Sequence, residues 1–400
     1  MSTADKNITL PEGSIQTKTT RLNLGPTHPA THGVFQNILE LDGEKIISTD
    51  ITIGYVHRAI EKIAERRPLY QITPLTDRLN YCSSPINNMG WHTTCEKLLG
   101  ISTPKRVDYL RVIIMELARI ADHLICNSVM GVDAGAFTGF LYVMQYRELI
   151  YEIWEEICGA RLTTNIGRIG GFERDFNDIA FTKLERFLKE YPEALKELES
   201  LLSRNRIFMD RTIGVGPISA ERALNYGFTG PNLRAAGVDY DVRKDRPYLG
   251  YETYDFDVPV GEHGDIYDRY RVRLEEMWQS NRILDQALDR LLDQLLALLD
   301  VVEDLPAHDH VAAVDPDVGD AHVVDPLHQA VVARGDDVEG VGRLDGQERG
   351  QLVRPPDRRD DEVERREPAG EVGTGDQRLE SLTDVAGTRD RLAAALAKLG

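Results

Sequence analysis

The chain has 400 residues and 42% hydrophobic content, enough for one large domain or two to three ordinary ones with a sizeable core. Its formal net charge of −19 and pI near 5.0 argue against nucleic acid as a partner, because phosphate binding needs a basic surface. Four widely spaced cysteines (Cys82, Cys95, Cys126, Cys158) form no CxxC pair, which argues against a zinc or iron–sulfur site made by this chain alone and fits a reducing compartment. The longest apolar runs, such as Val112–Met115, fall far short of the ~18 residues of a spanning helix, and the polar N-terminus shows no secretion signal.

Residues 1–20 are polar and read as a flexible N-terminus. The segment Leu24–Gly33 then places His28 and His32 four residues apart in a loop bounded by glycine and proline. Such turns stop regular structure and hold side chains at fixed angles in a cleft. Imidazole is suited to hydrogen-bonding a carbonyl and moving a proton near pH 7, so the loop suggests redox or acid–base chemistry. The plainer alternative is a pair of loop histidines bonded to backbone. Residues 34–42 alternate, Asp42-Gly43 is a strong turn, and Lys45 to Ile53 is the return strand. Residues 21–55 are therefore expected to form an N-terminal β region with a small antiparallel sheet.

From residue 56 the hydrophobic period shifts to about 3.6 and predicts helices over 57–67, 86–99, 107–129, 138–158, 178–203 and 265–299. The expected fold class is α+β, mainly α, with a helical domain over 56–300. The stretch 183–203 is amphipathic, with Leu184, Phe187, Leu188, Leu195, Leu198, Leu201 and Leu202 on one side. Four segments on this scaffold could carry chemistry. In Asp77–Tyr81 a tyrosine offers a ring and one donor, suited to an aromatic head group, or else is a core tyrosine with its hydroxyl at the surface. In Met130–Gly135, Asp133 stands among small apolar residues, where partial burial would call for a histidine partner; the alternative is a helix cap. In Asn165–Gly171 the glycines allow close backbone approach and Arg168 supplies a planar cation, without the spacing of a phosphate loop. Residues 205–264 read as ordered loops with short elements. Within them the arginines and acids of 230–244 would form either a network against a partner's charged cluster or a solvated loop of weak ion pairs.

Residues 301–400 contain no Phe, Trp, Tyr, Ile, Met, Cys or Asn, and a single lysine, Lys398. Such a stretch buries too little apolar surface to offset chain entropy, so disorder is expected. It reads either as a natural disordered tail or as a wrong-frame translation of a G/C-rich gene. The composition favours the second.

Several motifs together closely resemble the D-subunit family of the proton-pumping NADH:quinone oxidoreductase, respiratory complex I. They are GPTHPATHG at 25–33, IGYVHRAIEK at 53–62, DRLNY at 77–81, EKLLG at 96–100, ELARIADHL at 116–124, NIGRIGG at 165–171, GPNLRAAGVDYDVRK at 230–244 and the run 247–277. They cover about residues 20–295 in the family's order, and the family's aromatic C-terminal segment has no counterpart after about residue 300.

The family descends from the large subunit of nickel–iron hydrogenases, whose metal is held by two CxxC pairs. This chain lacks them, so no bound metal is expected. The resemblance implies a helical core like that of the hydrogenase large subunit, with the vacated cavity taking the head group of ubiquinone or menaquinone. It implies that His32 and Tyr81 hydrogen-bond the quinone carbonyl and that Asp133 pairs with His32. It further implies supporting roles for His28, Arg58, Arg78 and Arg168 around the cleft or a subunit interface. Electrons would arrive from a 4Fe–4S cluster in the adjacent B subunit, with NAD bound elsewhere in the complex. Partners would be the B, C, I and H subunits and membrane-arm loops, with the chain peripheral on the cytoplasmic face of the bacterial inner membrane. The alternatives are an inactive structural or assembly variant and a membrane-bound hydrogenase large subunit.

Overall fold

The computed structural model describes residues 19–303, so the expectations for the rest of the N-terminus and for nearly all of the 301–400 tail lie outside it. Of these, residues 19–296 belong to one compact unit, and the last residues of the final helix fall in a second.

Three antiparallel strands open the unit in spatial order: β1 (Thr20–Leu24), β2 (Phe35–Asp42) and β3 (Lys45–Ile53). The predicted hairpin is β2–β3, closed at Asp42 opposite Lys45, with Gly43 at φ +62° in the turn. β1 is a third strand beyond that hairpin. It pairs Leu22 with Leu39 and Leu24 with Asn37. The sheet thus grips both ends of the histidine loop, since β1 stops at Leu24 and β2 starts at Phe35.

Two short helices, α1 (Ile60–Ala64) and α2 (Thr73–Thr76), lead into long ones: α3 (Ser84–Leu99), α4 (Lys105–Asp133) and α5 (Phe137–Cys158). Pro85 sits in the first turn of α3, where its missing N–H costs nothing, and Gly159 ends α5 in the left-handed conformation. α4 is buried on every side from Leu110 to Ala118, the pattern of a helix enclosed by its neighbours rather than lying on a surface. A two-strand ribbon, β4 (Gly167–Arg168) and β5 (Gly171–Phe172), precedes α6 (Asp178–Leu198), which Asn177 caps by accepting the Ala180 N–H. α6 buries Leu184, Phe187, Leu188, Leu195 and Leu198 as its periodicity predicts, and a π turn at Glu199–Ser203 buries Leu202 while leaving Leu201 exposed.

The predicted loop region contains four short helices: α7 (Arg206–Thr212), α8 (Ala220–Asn225), α9 (Gly230–Ala235) and α10 (Val242–Asp245). α11 (Ile266–Glu303) follows and contributes Tyr270, Leu274, Met277, Ile283 and Leu284 to the same core as α4, α5 and α6. The mainly α, α+β class is what the structure shows.

Candidate functional site

The histidine loop is built by its own side chains. Thr31 is buried and its hydroxyl donates to the carbonyls of His28 (2.8 Å) and Pro26 (3.3 Å). Gly25 has φ +97°, and a Cβ there would lie 2.5 Å from the Phe35 carbonyl oxygen, so only glycine fits. His28 caps the turn Pro29–Thr31, its Nδ1 accepting the Ala30 N–H at 3.1 Å. This is the plainer, backbone-bonded reading for that histidine. His32 differs. It holds φ +52°, its side chain is exposed, and among the described residues its ring has no hydrogen-bond partner.

Tyr81 opens the short turn before α3, is 52% exposed, and its hydroxyl likewise has no partner among the described residues. The residues around it are firmly tied. The Asn80 amide donates to the Ser83 hydroxyl (2.8 Å) and to Asp122 Oδ1 (3.2 Å), while Asn87 donates to the Asn80 carbonyl (3.1 Å). Buried Asp77 accepts the Asn165 N–H at 3.4 Å, and burial pushes its carboxyl up despite the hydrogen bonds it receives.

That contact joins two of the sequence motifs, and Glu96 adds a third. The Arg111 guanidinium meets the Glu96 carboxylate in a buried fork (2.6 and 2.8 Å) and also donates to the Arg168 carbonyl (3.1 Å). Glu96 accepts the Gly170 N–H at 2.7 Å. A Cβ on Gly167 would lie 2.7 Å from the ring of buried His92, whose Nε2 meets the Thr73 hydroxyl at 2.9 Å. Burial, and then Arg111, lower His92 to about 4, so this imidazole is neutral at physiological pH. The 77–81, 96–100 and 165–171 segments thus form one platform.

Two further candidates, Arg78 and Arg168, lie on this platform, and two, Arg58 and Asp133, do not. Arg168 is engaged within its own loop, donating to the Asn165 (2.7 Å) and Gly167 (2.8 Å) carbonyls and pairing with Glu173. Arg78 is partly exposed, donates to the Pro74 carbonyl and lies 3.7 Å from Asp77. Arg58 is exposed and unbonded among the described residues. Asp133 is exposed rather than partly buried, as the last residue of α4, and no hydrogen bond or ion pair joins it to His32 among the described residues. The cause is local: α4 ends there, and the turn into α5 leaves its carboxylate facing water.

The largest electrostatic construction was not legible in sequence. Three of the 230–244 charges, Arg234, Asp241 and Arg243, are buried against α4 and α11, while Asp239 and Lys244 stay exposed. Arg243 binds Asp241 (Nη2, 2.7 Å) and Glu116 (Nη1, 3.2 Å), and Glu116 also accepts from Tyr251 (2.6 Å) and Ser280 (2.7 Å). Arg234 donates to Glu276 from Nε at 2.7 Å, and Glu276 accepts from His123 Nε2 at 2.7 Å. Burial alone would raise Glu116 and Glu276, but their cationic and hydroxyl partners hold both down to about 2. A carboxyl lowered in the folded state stabilises above its unfolded value near 4.5 and loses that contribution as pH falls through about 2. Acid unfolding is therefore expected to steepen within that window, as followed by near-ultraviolet circular dichroism. A complete loss of tertiary signal above pH 5 would contradict it.

Among the described residues, no group of three or more His, Cys, Asp or Glu side chains could hold a metal ion. Residues 133–313 match the family model for the respiratory-chain NADH dehydrogenase 49 Kd subunit. The chain is 71% identical over 272 residues to the second D subunit of the NADH-quinone oxidoreductase of Cytophaga hutchinsonii, covering 68% of this chain and 69% of that protein. It is 70% identical over 270 residues to the D subunit of the same enzyme from Flavobacterium johnsoniae (68% of this chain, 66% of that protein). It is 54% identical over 280 residues to the D subunit from Leptospira biflexa (70% and 68%). The matching part thus spans about two thirds of the length of each relative.

Proposed function

This chain belongs to the D-subunit family of NADH-quinone oxidoreductases, and we propose that it forms one wall of the site where the quinone head group is reduced. The observation that carries this reading is a contrast. Asn80, Glu96 and Arg111 of the platform are tied to the chain itself, whereas the His32 ring and the Tyr81 hydroxyl stay exposed and unbonded among the described residues. Both sit on backbone that is fixed by its neighbours, the preorganisation that donors need to stabilise charge as it develops.

Quinone reduction places negative charge on a carbonyl oxygen before protons arrive. His32 and Tyr81 would each donate to that oxygen, with imidazole also able to pass a proton. Asp133 would pair with His32 only in the assembled complex, since neither group has another partner among the described residues. Arg58 and Arg78 would line the rim toward neighbouring subunits. Electrons would come from the 4Fe–4S carrier of the adjacent B subunit, with NADH oxidised elsewhere in the complex and the reaction coupled to proton translocation. The B, C, I and H subunits and membrane-arm loops would close the other walls, against ubiquinone or menaquinone. Among the described residues no helix is long and apolar enough to cross a membrane, and the position proposed is a peripheral one on the cytoplasmic face of the inner membrane.

The test is His32→Ala in the purified complex. Alanine leaves a gap that a water molecule can fill, so part of the hydrogen bonding is recovered. The expected result is a loss of about tenfold in short-chain quinone reduction, one ordinary hydrogen bond's worth, with electron transfer to an artificial hydrophilic acceptor unchanged. Equal quinone turnover in variant and parent would remove His32 from the site.

A further inference from the structure

A cleft of about 500 Å³ lies between α8, α9 and the start of α11, apart from the platform described above. Its lining includes Arg222, Tyr226, Phe228, Asn232 and Arg269, and no carboxylate. In a chain of net charge −19 an all-cationic recess is unexpected.

Both arginines are held without an ion pair among the described residues. Arg269 is fixed by donating from Nη2 to the Gly216 (2.7 Å) and Gly264 (2.8 Å) carbonyls, and no ion pair is formed by it among the described residues. Its Nη1 stands at the open side of Gly216, 3.8 Å from where a Cβ would be. Burial, and then Arg273, work against its charge, and Asp265 offsets them only in part. The Arg222 guanidinium lies 5.6 Å over the Tyr226 ring and has no carboxylate partner among the described residues. Asn232 accepts from Arg273 at 3.1 Å, leaving its amide N–H groups for a ligand. Asp265, the nearby acid, already accepts the N–H groups of Gly214 (2.7 Å) and Asp268 (2.8 Å).

Beside these cations the same lining carries Pro217, Ile218 and Phe228 as an apolar rim, continued by Tyr226, which is 67% exposed. A free anion would satisfy the arginines and leave this apolar rim in water. A protein segment would cover both. We propose that this cleft receives an Asp or Glu side chain from a neighbouring subunit of the oxidoreductase, clamped by Arg222 and Arg269, with an apolar flank of the same segment resting on Tyr226. The inference uses the chain's place in a multi-subunit enzyme and not the quinone assignment.

The test replaces Tyr226 with the photo-crosslinker p-benzoylphenylalanine in the intact complex. The expected product joins residue 226 to a peptide of another subunit that carries Asp or Glu near the crosslink. Arg222→Glu should then cut retention of that subunit about tenfold through washing in moderate salt, and changing the partner's acid to Lys should restore it. Crosslinks confined to this chain, crosslinks to lipid, a bound nucleotide in the cleft, or unchanged retention in Arg222→Glu would each overturn the proposal. None of these readouts depends on quinone turnover.

Discussion

Arg243→Met is expected to destabilise the protein by about 3–5 kcal/mol, the range for removing one member of a buried charge cluster. The Arg243 side chain is 2% exposed and bridges Asp241 and Glu116, with its guanidinium 4.7 Å over the Phe256 ring. Methionine fills similar space, so the loss is electrostatic rather than a cavity. It weakens the hold on two carboxylates: Asp241 keeps Arg234 at 3.8 Å and the backbone N–H of residue 243 at 2.9 Å, and Glu116 keeps Arg119 at 3.2 Å with Tyr251 and Ser280. Both acids are held low largely by such cations, so losing Arg243 must raise them and move acid unfolding to higher pH. The matching surface change, Arg161→Met, removes contacts to Glu148 and Glu155 that are partly solvated and should cost under about 1 kcal/mol. Denaturant unfolding together with amide exchange of 241–251 in the complex checks the pair of variants. Equal, small effects in both would show that the buried cluster is not the brace described above. Glu116→Gln placed on Arg243→Met should recover part of the loss, because it removes one of the two carboxylate charges.

That cluster also marks the limit of what the sequence shows. The helices were legible because burial imposes a period: the apolar positions of α6 needed only local spacing, and its buried residues are those the period selects. The β2–β3 hairpin was legible because Asp42-Gly43 suits a tight turn between alternating runs. β1 gave a weaker signal, five residues whose two leucines become a strand only by pairing with β2. The charges of 230–244 resemble a solvated loop because composition cannot show that Glu116 and Ser280 lie against them. One local fact did hint at it: Glu116 and His123 lie seven residues apart in α4, a spacing that puts them on one face. Asp133 shows the reverse error. Small apolar neighbours suggested enclosure, but they mark the end of α4 and the turn into α5. For His28 and His32 the spacing could not tell the two apart. Only the backbone did, by turning His28 onto the Ala30 N–H and leaving His32 outward.

Tyr81→Phe should lower quinone reduction about 10²-fold while leaving assembly intact, the typical cost of removing one donor to a developing oxyanion. Assembly is spared because the hydroxyl has no hydrogen-bond partner among the described residues. The fold around it rests on Asn80, Ser83, Asp77 and Asn165, which the substitution does not touch. The loss should exceed that of His32→Ala for a geometric reason. Phenylalanine keeps the ring in place, so no water can enter to replace the missing donor, whereas alanine opens room for one. If Tyr81 donates mainly as charge develops, kcat should fall with little change in KM; if it binds the ground-state carbonyl equally well, KM should rise with kcat preserved. Steady-state kinetics with a short-chain quinone separates the two, and transfer to an artificial hydrophilic acceptor controls for damage upstream. Parent-level kcat and KM in Tyr81→Phe would exclude the hydroxyl from the reaction and leave the ring as a packing surface only. A loss in both assays would instead place Tyr81 in the assembly of the complex, a role its 52% exposure and unbonded hydroxyl do not favour.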